Sequence, residues 1–149
     1  MYGPSDPRSR LASSGAPVSP YGADSASTAF AQADYLRFHE LPPSEVSSAA
    51  RTWYGRGQNF IVAYTEADGR TVLERDAQPD EYVLLLPQAD TVVHITAPGE
   101  SVEVEGNSLV VIPPGQSSIT VSGGTIVRVF SARSADLAAK CLNAASYAE

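Results

Sequence analysis

The chain has 149 residues, 43% of them hydrophobic, which is enough for one domain with a hydrophobic core. Its net charge is −7 and no apolar run approaches the length of a membrane span, so we expect neither nucleic acid nor a membrane as a partner. Cys141 is the only cysteine, which excludes an internal disulfide framework and a multi-thiolate metal site. Because the N-terminus also has no apolar signal region, we expect a cytoplasmic protein.

The first 50 residues divide into two parts. Residues 1–33 are rich in Pro, Gly, Ser and Ala and have few large apolar side chains, which predicts a flexible tail. The alternative is an arm that becomes ordered on a partner subunit. Residues 34–50 form a linking segment, in which Ser44 could cap a short turn over Glu45 to Ala50.

Residues 51–133 show short β-type runs separated by turn signals, which predict about eight strands of a sandwich or small barrel. Val93 and Ile95 share one face of their strand, and His94 lies on the other. The predicted strands are Asn59 to Thr65, Thr71 to Arg75, Glu81 to Leu86, Thr91 to Ala97, Glu100 to Glu105, Leu109 to Ile112, a strand containing Ile119 and Val121, and Thr125 to Ser131.

Residues 134–149 are predicted to end the domain with a helix. The stretch from Ala135 to Tyr147 is rich in Ala, and Ser134 is a candidate N-cap. Leu137, Cys141 and Leu142 fall on one helical face. We therefore expect this helix to pack on the barrel or on a neighbouring subunit.

The run from Thr91 to Gly115 carries a family resemblance. Its hairpin TVVHITAPGESVEVEG is followed by the strand NSLVVIPPG, which ends in a Pro-Pro-Gly corner. In this arrangement the sequence resembles the cupin superfamily, in its RmlC-like form, from about Arg51 to Ala132. The resemblance implies an all-β fold, the double-stranded β-helix or jelly roll.

Cupins commonly bind a metal through a His-x-His pair, a Glu three or four residues later, and a third His three residues after the Gly of the Pro-x-Gly corner. With the Glu placed at Glu81, Arg75 and Ala77 stand where the paired histidines would be. A shift of one residue puts Glu74 and Asp76 there instead, and the third position is Ser118.

The chain has two histidines, His39 and His94, and neither lies at one of these positions. A three-histidine site is therefore excluded, and we expect a degenerate cupin with no metal and no cofactor.

Six residues are candidates for binding a small polar or anionic ligand at the barrel mouth. Arg75 could bind an anion through two hydrogen bonds. Arg128 must be paired if its face is inward, and Glu81 is a candidate partner. His94 could be a surface histidine or a general base. The set is Arg75, Glu81, Tyr82, His94, Ser118 and Arg128.

The sequence leaves three functions open, and it assigns no catalytic residue. The first is a ligand-binding or structural module that forms a homodimer or assembles with another cupin. The second is a metal-independent enzyme, resembling an isomerase, epimerase or lyase, with His94, Glu81, Arg75 or Tyr82 as acid or base. The third is the non-catalytic half of a two-cupin assembly. The side chains that point into the barrel distinguish between them.

Overall fold

Ten β-strands in two antiparallel sheets dominate the computed structural model, which describes residues 35–147. The predicted tail at residues 1–33 lies outside the described residues. The strands are β1 Glu45–Val46, β2 Ala50–Arg56, β3 Phe60–Ala67, β4 Thr71–Gln78, β5 Tyr82–Leu86, β6 Val92–Ala97, β7 Glu100–Glu105, β8 Ser108–Ile112, β9 Gly115–Val121 and β10 Gly124–Ser131.

The strand order is that of a jelly roll. One sheet has six strands in the order β1-β2-β3-β10-β5-β8, and the other has four in the order β4-β9-β6-β7. Strands that are neighbours in the chain often lie in different sheets, so the chain crosses repeatedly between the two layers. The predicted all-β fold, a double-stranded β-helix, is confirmed.

The core lies between the sheets because side chains alternate along each strand. In β6, Val93 and Ile95 are buried and His94 is exposed, as the alternation predicts. In β5, Tyr82, Leu84 and Leu86 face the core in the same way. Each buried aliphatic side chain contributes about 1.5–3 kcal/mol relative to an exposed one.

The predicted turn over Glu45 to Ala50 is wrong, because this segment forms the hairpin between β1 and β2. Glu45 lies opposite Thr52 in the register. The Ser44 hydroxyl does not cap a turn but accepts a hydrogen bond from the Tyr54 backbone N–H at 3.2 Å. Long-range pairing with β3 therefore outweighs the local preference for a turn.

The predicted C-terminal helix is much shorter than expected. It comprises α1 (Ala135–Ala138), and a 3-10 helix follows at Ala144–Tyr147. Between them, the Leu142 N–H donates to the Tyr54 carbonyl at 2.8 Å, which draws the chain toward β2. No helix within residues 35–147 is long and apolar enough to span a membrane.

Candidate ligand-binding site in the barrel

Polar side chains gather around Phe130 inside the barrel. The Tyr82 ring stacks on the Phe130 ring with centroids 4.7 Å apart. The guanidinium carbons of Arg75 and Arg128 lie 5.5 and 5.4 Å from the centroid of the same ring. Two cations thus share one aromatic side chain, an arrangement that stabilises them away from water.

Arg128 of β10 is buried between the sheets. Only 3% of the residue is exposed, and its Nε finds no hydrogen-bond acceptor among residues 35–147. A buried N–H without an acceptor costs about 1–3 kcal/mol. Glu81, the predicted partner, is exposed and makes no ion pair within the described chain, so the expected pairing with Arg128 is wrong.

Glu45 of β1 supplies negative charge near Arg128. The Tyr54 hydroxyl donates to Glu45 Oε2 at 2.9 Å, and Lys140 Nζ contacts Glu45 Oε1. Burial alone would raise the pKa of Glu45, but the hydrogen bonds from Lys140 and Tyr54, with the charge of Arg128, hold it below the ordinary 4.5. Glu45 is therefore ionised at neutral pH.

Arg75 has the complete set of partners that Arg128 lacks. Its two Nη atoms donate to the Asp136 carboxylate at 2.7 and 3.1 Å, and its Nε donates to Gln78 Oε1 at 2.8 Å. Gln78 Nε2 in turn donates to Ser134 Oγ at 2.9 Å. The Ser134 side chain therefore bonds to β4 and does not cap α1.

An irregularity in β4 allows Arg75 and Gln78 both to turn inward. The register with β9 shifts between these two residues, so Asp76 and Ala77 are both exposed. Such a bulge is typically found where a strand redirects a side chain.

Two tyrosines complete the site with protonated hydroxyl groups. Burial raises the pKa of Tyr54 to about 12 and also raises the pKa of Tyr82. Both hydroxyls therefore keep their proton at neutral pH. Tyr82 Oη and Ser117 Oγ are 2.9 Å apart, and either can be the donor.

These residues do not fit a metal ion. The inward positions on β4, β5 and β9 hold Arg75, Gln78, Tyr82 and Ser117, which offer no imidazole or carboxylate, and a guanidinium repels a cation. Within residues 35–147, no three His, Cys, Asp or Glu side chains are grouped so that they could hold a metal.

The structure brings together three of the six predicted residues, Arg75, Tyr82 and Arg128. The other three do not face the interior. Glu81 precedes the inward Tyr82, and the His94 Nε2 lies 2.9 Å from Ser101 Oγ on the outer face of the small sheet. Ser118 lies opposite the exposed Glu74 and Thr96.

Sequence reasoning missed Ser117, although a signal for it was present. Ile119 and Val121 are apolar, and counting back by two along β9 reaches Ser117 and not Ser118. Gln78 and Tyr54 had no such signal. Gln78 follows the bulge in β4, and Tyr54 lies in β2, a strand that was not predicted.

A depression of about 410 Å³ lies next to the bulge, and Arg128, Tyr82 and Phe130 are not among its lining residues. It reaches Ser117, whose side chain also bonds to Tyr82. It is lined by Glu74, Asp76, Thr96, Ala97, Pro98, Gln116, Ser117 and Ser118.

Solved structures share this architecture. KdgF from Halomonas sp. superposes with a TM-score of 0.57 at 14% identity, over 70% of this chain and 98% of that one. An RmlC-like cupin from Shewanella frigidimarina gives 0.53 at 15% identity, over 67% and 92%. The polyketide cyclase RemF from Streptomyces resistomycificus gives 0.50 at 12% identity, over 67% and 80%.

No family model and no curated protein matches the sequence. The likeness to these structures, at 12–15% identity, concerns the fold. Together with the strand order of the two sheets, it shows that this chain has the fold of the cupin superfamily.

Proposed function

We propose that the protein is a non-catalytic module that binds a small monoanion inside the barrel, with Arg128 as the principal anchor. The observation that carries this proposal is that the Nε of this 97% buried arginine has no hydrogen-bond partner within residues 35–147. A charged donor without an acceptor is costly to bury, and a bound carboxylate would remove that cost.

The surroundings of Arg128 favour a ligand with one carboxylate and an apolar or hydroxylated remainder. Phe130 and Tyr82 offer aromatic rings, and the hydroxyls of Tyr82 and Ser117 offer hydrogen bonds. Because the ionised Glu45 already lies near Arg128, a polyanion would be repelled.

Acid–base catalysis has less support than binding. The raised pKa values of Tyr54 and Tyr82 keep both hydroxyls protonated, and His94 bonds to Ser101 on the outer face. Burial also raises the pKa of the Cys141 thiol, whose Sγ donates to the Leu137 carbonyl. A nucleophile or general base would need a pKa nearer neutral pH.

The test is a thermal-shift and calorimetric titration of the full chain with benzoate and lactate. Their amides, benzamide and lactamide, are matched neutral probes, and citrate is the polyanion. We expect at least one of the two acids to raise the melting temperature and to bind more tightly than its amide and citrate. Arg128→Met should weaken this binding at least tenfold, since a hydrogen bond to a charged group contributes about 1.5–3 kcal/mol.

Arg70→Met is the matched control, because Arg70 is exposed at the turn between β3 and β4. It should bind benzoate and lactate as the wild type does. Replacing a buried charge by an apolar side chain is often neutral or stabilising, so we expect Arg128→Met to fold. The proposal would be overturned if neither acid bound, or if each acid bound no more tightly than its amide. It would also be overturned if folded Arg128→Met bound the acids as the wild type does.

A further inference from the structure

The site around Arg128 is closed to solvent. Arg128 is 3% exposed, and Tyr82 and Phe130 beside it are each 1% exposed. The depression next to the bulge is not lined by any of these three residues. Since a ligand cannot pass through packed side chains, an element that contacts the site must move to admit one.

The C-terminal segment, residues 134–143, lies across the two sheets beside this site. It bonds to β4 of the small sheet and to β1 and β2 of the large sheet. The contacts are Gln78 with Ser134 and Arg75 with Asp136 on β4, Glu45 with Lys140 on β1, and Arg56 with Asn143 on β2. Arg75 faces the same Phe130 ring as Arg128, and the charge of Arg128 acts on Glu45. The segment therefore covers the end of the barrel at which the two arginines lie.

This segment is held by fewer interactions than the strands that form the walls of the site. β10, which carries Arg128 and Phe130, is hydrogen-bonded to β3 on one side and to β5 on the other. In the segment, α1 has four residues, far fewer than a helix needs to be stable alone in water. Leu137 and Cys141 are its buried apolar side chains. An element with so few buried apolar contacts opens at a lower free energy than the whole fold.

Asp80 fixes the chain directly before the segment. Its carboxylate accepts hydrogen bonds from the Ser131 hydroxyl and, at 2.8 Å, from the Arg133 guanidinium. The chain is thus attached to the loop between β4 and β5 as far as Arg133, independently of the bonds that follow. This attachment places a hinge between Arg133 and Ser134.

We propose that the C-terminal segment is a hinged cover that opens while the two sheets stay folded, and that a ligand reaches Arg128 only while this cover is open. The part that concerns the ligand rests on the function proposed above. Opening separates Asp136 from Arg75 and exposes Cys141, the only cysteine of the chain. The Cys141 thiol therefore reports opening in the absence of any ligand.

The test is the rate at which a maleimide modifies Cys141 in the full chain, measured at urea concentrations below the unfolding transition. Circular dichroism measures global unfolding in parallel. We expect a modification rate that is independent of urea and faster than global unfolding allows, because local opening exposes little new surface. A rate that follows global unfolding at every urea concentration would overturn the proposal, since the segment would then open only when the barrel unfolds.

Two variants distinguish opening from a slow reaction of the thiol in the closed state. Asn143→Ala should accelerate the modification of Cys141 about fivefold or more, because backbone groups of Arg56 lose their partner. Lys140→Met, which removes the contact with Glu45, should accelerate it about twofold or more. Wild-type modification rates in both variants would overturn the proposal.

Arg51→Met is the matched control for Lys140→Met. Lys140 lies over the Tyr54 ring and pairs with a carboxylate, and Arg51 likewise lies over the Trp53 ring and pairs with Glu66. Its contacts, however, are on the outer face of the six-stranded sheet. Arg51→Met should therefore leave the modification rate of Cys141 at the wild-type value, and an acceleration equal to that of Lys140→Met would contradict the role of the segment.

Ligand entry is tested with the acid that binds, whose NMR exchange between free and bound forms gives the association rate. Asn143→Ala should raise this rate by the same factor as the modification of Cys141, and Arg51→Met should leave it unchanged. A wild-type association rate in Asn143→Ala, with faster modification of Cys141, would overturn the segment as the route of entry. If neither acid bound, the proposed function would fail and the role in ligand entry with it. The Cys141 rates would still decide whether the segment opens.

Discussion

Two arginines inside the barrel are balanced by two carboxylates from elements beside it. Arg75 pairs fully with Asp136 of α1. Arg128 is near Glu45 of β1, but its Nε has no partner in the described part of the chain. The difference in pairing separates a structural role from a binding role. Arg75 joins α1 to β4, and Arg128 retains hydrogen-bonding capacity for a ligand.

The ion pair between Arg75 and Asp136 predicts a specific pH dependence. Hydrogen bonding from Arg75 lowers the pKa of Asp136 below the ordinary 3.8. The pair's stabilisation is therefore complete above that value and is lost as the pH falls through the lower pKa of the folded state. We expect Asp136→Asn to reduce the free energy of unfolding by about 1 kcal/mol at pH 7.

The measurement is urea unfolding of wild type and Asp136→Asn from pH 7 down to pH 2. The difference between the two proteins should shrink as the Asp136 carboxyl becomes protonated in the wild type. Asp90→Asn, in the exposed loop between β5 and β6, is the control and should match the wild type at pH 7. A difference that stays constant across the whole range would contradict the assignment.

At the scale of elements, the C-terminal segment completes the hydrogen bonding of β2. Asn143 Oδ1 accepts from the Arg56 N–H at 2.9 Å, and Asn143 Nδ2 donates to the Arg56 carbonyl at 2.9 Å. One side chain thus imitates a strand partner for Arg56. This pairing, with the bond from Leu142 to Tyr54, explains why α1 ends after one turn.

Replacing Asn143 should therefore weaken the attachment of the C-terminal segment. We expect Asn143→Ala to lower the free energy of unfolding by about 1–3 kcal/mol, because backbone groups of Arg56 lose their partner. Urea unfolding measures this loss of free energy of unfolding. Hydrogen exchange at the Arg56 amide should also become faster in Asn143→Ala. Asn59→Ala, at an exposed site before β3, is the matched control. Equal stability of the two variants would count against this role.

Alternation along the strands made most of the barrel predictable from the sequence. The buried Val93 and Ile95 and the exposed His94 follow directly from it. The bulge after Arg75 could not be predicted from this alternation, because its two successive outward residues break the period of two. The β1–β2 hairpin and the short α1 were also missed. Both depend on pairing with residues far along the chain, which a local pattern does not contain.

At the scale of the whole molecule, two connections between the sheets meet at one point. A β-carbon on Gly106, which follows β7, would lie 1.8 Å from the backbone oxygen of Gln88, in the loop between β5 and β6. Gln88 also accepts a hydrogen bond from the Thr125 N–H at 2.7 Å, at the start of β10. The contact thus joins loops that bring strands of both sheets together.

Gly106→Ala should therefore destabilise the whole barrel and not one loop. Because the obstacle is a backbone atom that cannot rotate away, we expect a loss of about 3 kcal/mol in the free energy of unfolding. Gly69→Ala is the matched control, since its added β-carbon would lie 3.6 Å from the Ala49 side chain, an ordinary contact. Urea unfolding followed by circular dichroism and by tryptophan fluorescence should give one shared, shifted transition for Gly106→Ala. Two separate transitions would mean that the sheets unfold independently, and a wild-type midpoint would mean that the loops relax without cost.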